Sequence, residues 1–139
     1  MFNCKKIING RMNVPETESL PTTAGETYKE GEALVLSGGK LTKASGTTKP
    51  THISLADYTA PASGQKDLPC FRIASNMVFA VPVTFSETAK AIVVGSKLTV
   101  ADDGLGVTDV TTSGVVTVVD ALTANDNKTS GDTVSVIVE

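Results

Sequence analysis

Residues 30–54 read EGEALVLSGGKLTKASGTTKPTHIS, and this stretch decides the fold class. Leu34 and Leu36 alternate with polar or small neighbours, Ser37-Gly38-Gly39 supplies the positive φ angles of a tight turn, and Leu41 resumes the apolar face. Gly46 and Pro50 then punctuate the passage to a third strand at His52-Ile53-Ser54-Leu55. The pattern predicts a hairpin followed by one more strand, with Leu34 and Leu36 facing the core.

The unit returns in the second half. Gly31-x-x-Leu34-x-Leu36 followed by Gly39-x-Leu41-Thr42 lies on Gly95-x-x-Leu98-x-Val100 followed by Gly104-x-Gly106-Val107-Thr108. The strands after them correspond as well, 51–57 against 115–121, and the closing strands pair Met77–Val83 with Thr133–Val138. Two copies are too few for a solenoid, so the expected fold is a small β-barrel or sandwich built from two hairpin-plus-strand units.

Composition agrees. The 139 residues fit one domain, Trp is absent, aromatics make up only 4% of the chain, and Val, Thr, Ala, Gly and Ser are prominent. Such a chain suits pleated strands and turns better than long helices, so the class is all-β with a modest core. Exposed β edges beside a small core predict self-association into a homo-oligomer.

The formal charge is −3 and the basic residues are scattered apart from Lys5-Lys6 and Arg11, so no patch is expected to hold nucleic acid. Cys4 and Cys70 lie far apart without CxxC or metal-type spacing. Free thiols are the favoured reading, with an interchain or arm-to-body disulfide as the alternative. No apolar run reaches membrane-spanning length and the N terminus lacks a signal-peptide h-region, so a product made and used without secretory export, and without a membrane partner, is expected.

Residues 1–27 differ from the rest, holding Pro15, Pro21, several Thr and Glu, and only isolated apolar side chains. Each proline pushes the residue before it toward an extended conformation, which predicts an extended N-terminal arm ahead of a β body at 28–139. About 15 such residues reach about 45 Å. Ile7, Ile8, Met12, Val14 and Leu20 would then act as pegs for a neighbouring surface. Within the body, 56–69 reads as a polar loop, Pro82 marks an edge or bulge, and 84–91 is the one place suited to a helical turn or two.

Little in the chain suggests catalysis. His52 has no nucleophile motif around it, which favours a structural role. Asp102-Asp103, and Asp126-Asn127 with Asp132, fall outside the calcium-loop pattern and read as turn residues. Gly38-Gly39 and Gly104-Leu105-Gly106 lack the lysine and helix of a phosphate loop and read as hairpin glycines. With no acid–base pair, metal set or cofactor motif to assign, a non-enzymatic binding or structural role is expected.

The run RMNVPETESLPTTAGETYKEGEALVL, the following SGGKLTKASGTTKPTHISLAD and the later RIASNMVFAVPV resemble small phage proteins encoded among head genes, the capsid decoration or cement proteins. The resemblance rests on size, on an N-terminal arm before a small β-barrel, and on the pattern G-x-x-[LV]-x-[LV]-x-x-G-x-[LV]. It covers residues 11–83 well and the C-terminal half loosely. It implies a head-stabilising virion protein on the outer surface of the capsid, made in the host cytoplasm, commonly a trimer. The major capsid protein would be its partner. The contact residues it implies are Ile7, Ile8, Met12, Val14, Pro15, Leu20 and Pro21. The alternative is a head-fibre or tail appendage module that binds a receptor or carbohydrate, for which only Tyr28 and Tyr58 offer themselves as sugar-stacking tyrosines.

Overall fold

A computed structural model describes residues 1–8, 15–86, 92–121 and 132–139. In chain order its strands are β1 (Asn3–Ile7), β2 (Thr17–Leu20), β3 (Thr27–Tyr28), β4 (Ala33–Ser37), β5 (Lys40–Lys43), β6 (His52–Ser54), β7 (Tyr58–Thr59), β8 (Leu68–Arg72), β9 (Met77–Thr84), β10 (Lys97–Leu98), β11 (Val107–Thr108), β12 (Val116–Ala121) and β13 (Thr133–Val138). The described residues contain no helix, so the class is all-β. Helical turns were expected over 84–91; Thr84 instead ends β9, residues 85–86 form no helix, and 87–91 lie outside the described residues.

The opening hairpin forms as its sequence demands. Ser37 faces Lys40 across Gly38 and Gly39, whose φ angles of +56° and +78° are those of a tight two-residue turn that a side chain would strain. From it grows a sheet in the order β2-β8-β6-β4-β5. Just past β2, Thr22 bridges Leu41 of β5 in parallel, and the Leu41 N–H donates to the Pro21 carbonyl at 2.8 Å. The hydrogen-bonded path therefore returns to its start.

The second half repeats this plan. Its order is β9-β13-β12-β10, Val100 beyond β10 bridges Val107 of β11, and β11 pairs in parallel with β9 through Val107–Val83 and Thr108–Thr84. The duplication expected from the sequence is thus present in the connectivity. One correspondence needs correcting: β13 matches β8, whereas Met77–Val83 in β9 is the counterpart of β2. Alternating apolar residues mark a buried strand without saying which neighbour it takes.

The two sheets pack around a shared core, in sandwich fashion. Ala33, Ile53 and Phe71 come from the first, and Phe79, Val81, Val118, Val134 and Val136 from the second. Phe71 stacks on Phe79 with centroids 6.1 Å apart, and Phe2 meets Phe79 edge-on at the same 6.1 Å. A smaller core of Tyr28, Leu34, Leu41, Ala60, Leu68 and Cys70 lies within the first half. The ribbon of β3 and β7 contributes Tyr28 to it and packs Tyr58 against it. Part of the expected polar loop 56–69 is therefore strand. The Tyr28 hydroxyl donates to the Leu41 carbonyl at 2.8 Å and accepts the Thr23 N–H at 2.9 Å, fixing the turn that closes this half.

Residues 1–27 do not stand apart as an arm wherever they are described. β1 pairs with β9 from Asn3–Ala80 to Ile7–Met77, β2 pairs with β8, and Phe2 is buried. Leu20, ahead of Pro21, is extended as expected, but unpaired strand edges lay within reach, and ladder bonds together with burial of Phe2 outweigh the freedom of a loose tail. Pro82 was expected at an edge strand or a bulge; it lies instead inside β9, an interior strand flanked on both sides, without a register shift. Val83 donates its N–H toward β13, to the Asp132 carbonyl at 2.8 Å, so the ring nitrogen of Pro82 turns to the opposite side of β9. There β1 has ended at Asn3–Ala80 and β11 begins at Val107–Val83.

Leu34 and Leu36 part company. Leu34 is fully buried, whereas Leu36 is 36% exposed, because β6 pairs with β4 only at Ala33 and Leu34 and the hairpin runs on beyond it. Leu34→Asp is expected to abolish folding, since it buries an unpaired charge, while Leu36→Asp changes stability by no more than about 1 kcal/mol. Thermal melts of the two variants check this, and equal losses would contradict the assignment of faces. Phe2→Ala should cost about 3–4 kcal/mol in urea unfolding, the usual loss for a buried aromatic, and a loss below about 1 kcal/mol would show that β1 is not anchored by that ring.

Candidate functional site

His52 lies in β6, opposite Arg72 of β8 in the register, and Glu18 reaches it from β2, whose own partner on β8 is Cys70. Its Nε2 lies 3.0 Å from Glu18 Oε1, and Arg72 Nε lies 3.5 Å from the same oxygen. On the other side of the ring, Nδ1 lies 2.8 Å from the Thr51 hydroxyl, which accepts the Leu36 N–H at 3.0 Å. Thr51 thus donates its own proton to Nδ1 and His52 donates from Nε2 to Glu18, which assigns the neutral Nε2–H tautomer. Burial pushes the imidazole below its ordinary pKa, and nearby Arg72 adds to this, while the bond to Glu18 and its charge pull the other way.

The ring is only 2% exposed. Its Nε2 is taken up by Glu18 of β2 and its Nδ1 by Thr51, the residue just before β6, whose hydroxyl in turn holds the Leu36 N–H of β4, so the group links β2, β6 and β4. Beside it opens a groove of about 470 Å³ at the seam of the two sheets. Leu36, Pro50, Ile73 and Val138 supply its apolar surface, and Lys49 and Arg72 stand at it as cations.

The residues expected to meet a partner are dispersed. Ile7 packs partly against the main core and Leu20 against the smaller one. Pro15 is half-buried, and Pro21 is exposed but gives its carbonyl to the Leu41 N–H that closes the first half. Ile8, at the end of β1, is 45% exposed. Met12 and Val14 lie outside the described residues.

The turn residues are where the sequence put them. Asp103 Oδ1 accepts the Leu105 N–H at 2.9 Å and Asp102 is exposed, while Asp126 and Asn127 lie outside the described residues. Among the described residues no three His, Cys, Asp or Glu side chains gather as a metal site. Both cysteines are free thiols, and burial pushes Cys70 up to about 11, which keeps it protonated and unreactive.

Sequence reasoning missed Glu32, which with Asp109 is the most deeply buried carboxylate among the described residues. One of its oxygens accepts the Lys29 N–H at 2.7 Å and the other meets Lys43 Nζ at 3.2 Å. The only signal for it was its place three residues after Lys29 in a glycine turn. Glu18 was equally unmarked, since a carboxylate in a short polar strand normally faces water.

No family model matches the chain, and no curated protein matches it.

The lowered affinity of His52 for protons fixes a sign. The unfolded chain takes up a proton near pH 6.5 and the folded one only at lower pH, so stability is full above about pH 7 and falls as the pH drops through and below about 6.5. Urea midpoints measured across this range should show that slope, His52→Gln should flatten it, and Glu18→Gln should carry the loss to lower pH by removing the group that favours the proton. An unchanged slope in His52→Gln would assign the effect elsewhere.

Proposed function

We propose that this protein is a structural virion component that binds the outer surface of an assembled phage head and stabilises it by bridging major capsid subunits. The observation that carries the reading is the glycine-hairpin unit repeated in one closed β body, together with an N-terminal segment that leaves Ile8 exposed on its surface. A body with its strand ends tied together suits a protein that must hold its shape on a strained shell. Many weak contacts per particle give large total stabilisation through multivalency. A net charge of −3 is compatible with a surface turned away from packaged DNA. The same reading makes the major capsid protein the partner and a trimer the favoured assembly, with no catalytic step.

Quantitative peptide mass spectrometry on purified particles of the source phage tests this directly. A copy number close to that of the major capsid protein, or another large lattice-like fraction of it, is expected. A handful of copies would make the chain a tail or vertex appendage, and absence from the particle would overturn the reading. Ile8→Asp should weaken attachment to heads about tenfold or more while changing stability by no more than about 1 kcal/mol, because the residue stands exposed at the end of β1. Undiminished attachment would remove Ile8 from the contact.

A further inference from the structure

On the face of the second sheet that turns away from the core, a groove of about 290 Å³ crosses neighbouring strands in the order β1-β9-β13-β12. Lys5 and Lys6 line it from β1, Val78 from β9, Ser135 from β13, and Val119 and Asp120 from β12. In a regular strand successive side chains point to opposite faces, so neither Lys5 with Lys6 nor Val119 with Asp120 could share one groove. Both pairs do, because both strands shift register at this place, β1 between Cys4 and Lys6 and β12 between Val118 and Asp120. A bulge re-aims a side chain at the cost of ladder pairing. Here two bulges, on strands that are not neighbours, turn charged side chains into the same groove. Protection of a sheet edge explains a bulge on β1 but not this convergence.

The charges in the groove are uncommitted. Among the described residues Lys5, Lys6 and Asp120 make no ion pair, and all three side chains are exposed. Ser135 is only 2% exposed, and its hydroxyl has no hydrogen-bond partner among the described residues. No fully enclosed side-chain oxygen lacks a partner, so this hydroxyl opens on the groove, where water or a ligand must complete it. We propose that the groove binds a small organic zwitterion with an apolar middle. Its anionic group lies between the Lys5 and Lys6 ammonium groups at the β1 end. Its own ammonium meets Asp120 at the β12 end, where Ser135 stands opposite Asp120 in the register and its hydroxyl accepts a second hydrogen bond. Val78, Val119 and Ile8 cover the carbon chain between them. Asp120 repels a ligand that is anionic at both ends, and one carboxylate is too few to hold a metal cation. The inference rests on this groove alone and stands whether or not the capsid reading does.

Chemical-shift titration of the isotope-labelled full chain with 6-aminohexanoate tests it. Shifts that saturate below about 10 mM are expected at the Val78, Val119 and Ser135 amides. Hexanoate lacks the ammonium, hexylammonium lacks the carboxylate, and glycine has both charges without the chain between them, so each should bind about tenfold or more weakly. Asp120→Asn should weaken 6-aminohexanoate about tenfold and leave hexanoate bound as well as before or better. Lys5→Gln combined with Lys6→Gln should weaken both about tenfold or more. These side chains are exposed, so the variants keep the fold, which their own spectra verify away from the groove. Absence of saturation with 6-aminohexanoate, shifts confined to another surface, hexanoate binding as tightly as the zwitterion, or undiminished binding of the zwitterion by either variant would each overturn the proposal.

Discussion

Every larger feature of this fold depends on β9 being paired along both edges and buried along one face. Met77, Phe79, Val81 and Val83 point to the same side and all are buried. One edge of the strand bonds β13, and the other is shared between β1 and β11, with Pro82 placed where the partner changes. Phe79 then meets Phe71 from the other sheet and Phe2 from the chain start. Three of the four phenylalanines thus converge on one strand, and in a chain without tryptophan that convergence ties the two halves and the N terminus into one body.

Closure compensates for the scarcity of large side chains. Each half joins its last strand back to its first through a short parallel bridge, Thr22–Leu41 in one and Val83–Val107 with Thr84–Thr108 in the other. Backbone groups that would otherwise line an open edge are paired, which limits uncontrolled strand addition. β1 meets the same problem on its outer side with a register shift between Cys4 and Lys6 and with Lys5 and Lys6, devices that discourage further pairing.

Polar groups inside the body are spent on holding strands together. Glu18, His52 and Thr51 link β2 to the start of β6, Glu32 fixes the turn ahead of β4, and Asp109 accepts from both the backbone and the hydroxyl of Ser86. No buried side-chain nitrogen or oxygen among the described residues lacks a partner.

The all-β class, the glycine hairpin at Gly38-Gly39 and the existence of a duplication were legible in the sequence, because each follows from local backbone preference or from spacing along the chain. Partnership between distant strands was not. Nothing in Asn3–Ile7 or Thr17–Leu20 tells a strand from an extended arm, since both show extended backbone with scattered apolar residues, and only an available edge on β9 or β8 decides between them. Leu36 looked equivalent to Leu34 and differs only because β6 is too short to lie beside it. Glu18 and His52 are 34 residues apart, and their meeting across β8 requires the order β2-β8-β6. Local chemistry fixes which conformations each segment can take, while the edges and faces that neighbours leave open fix which of them it keeps.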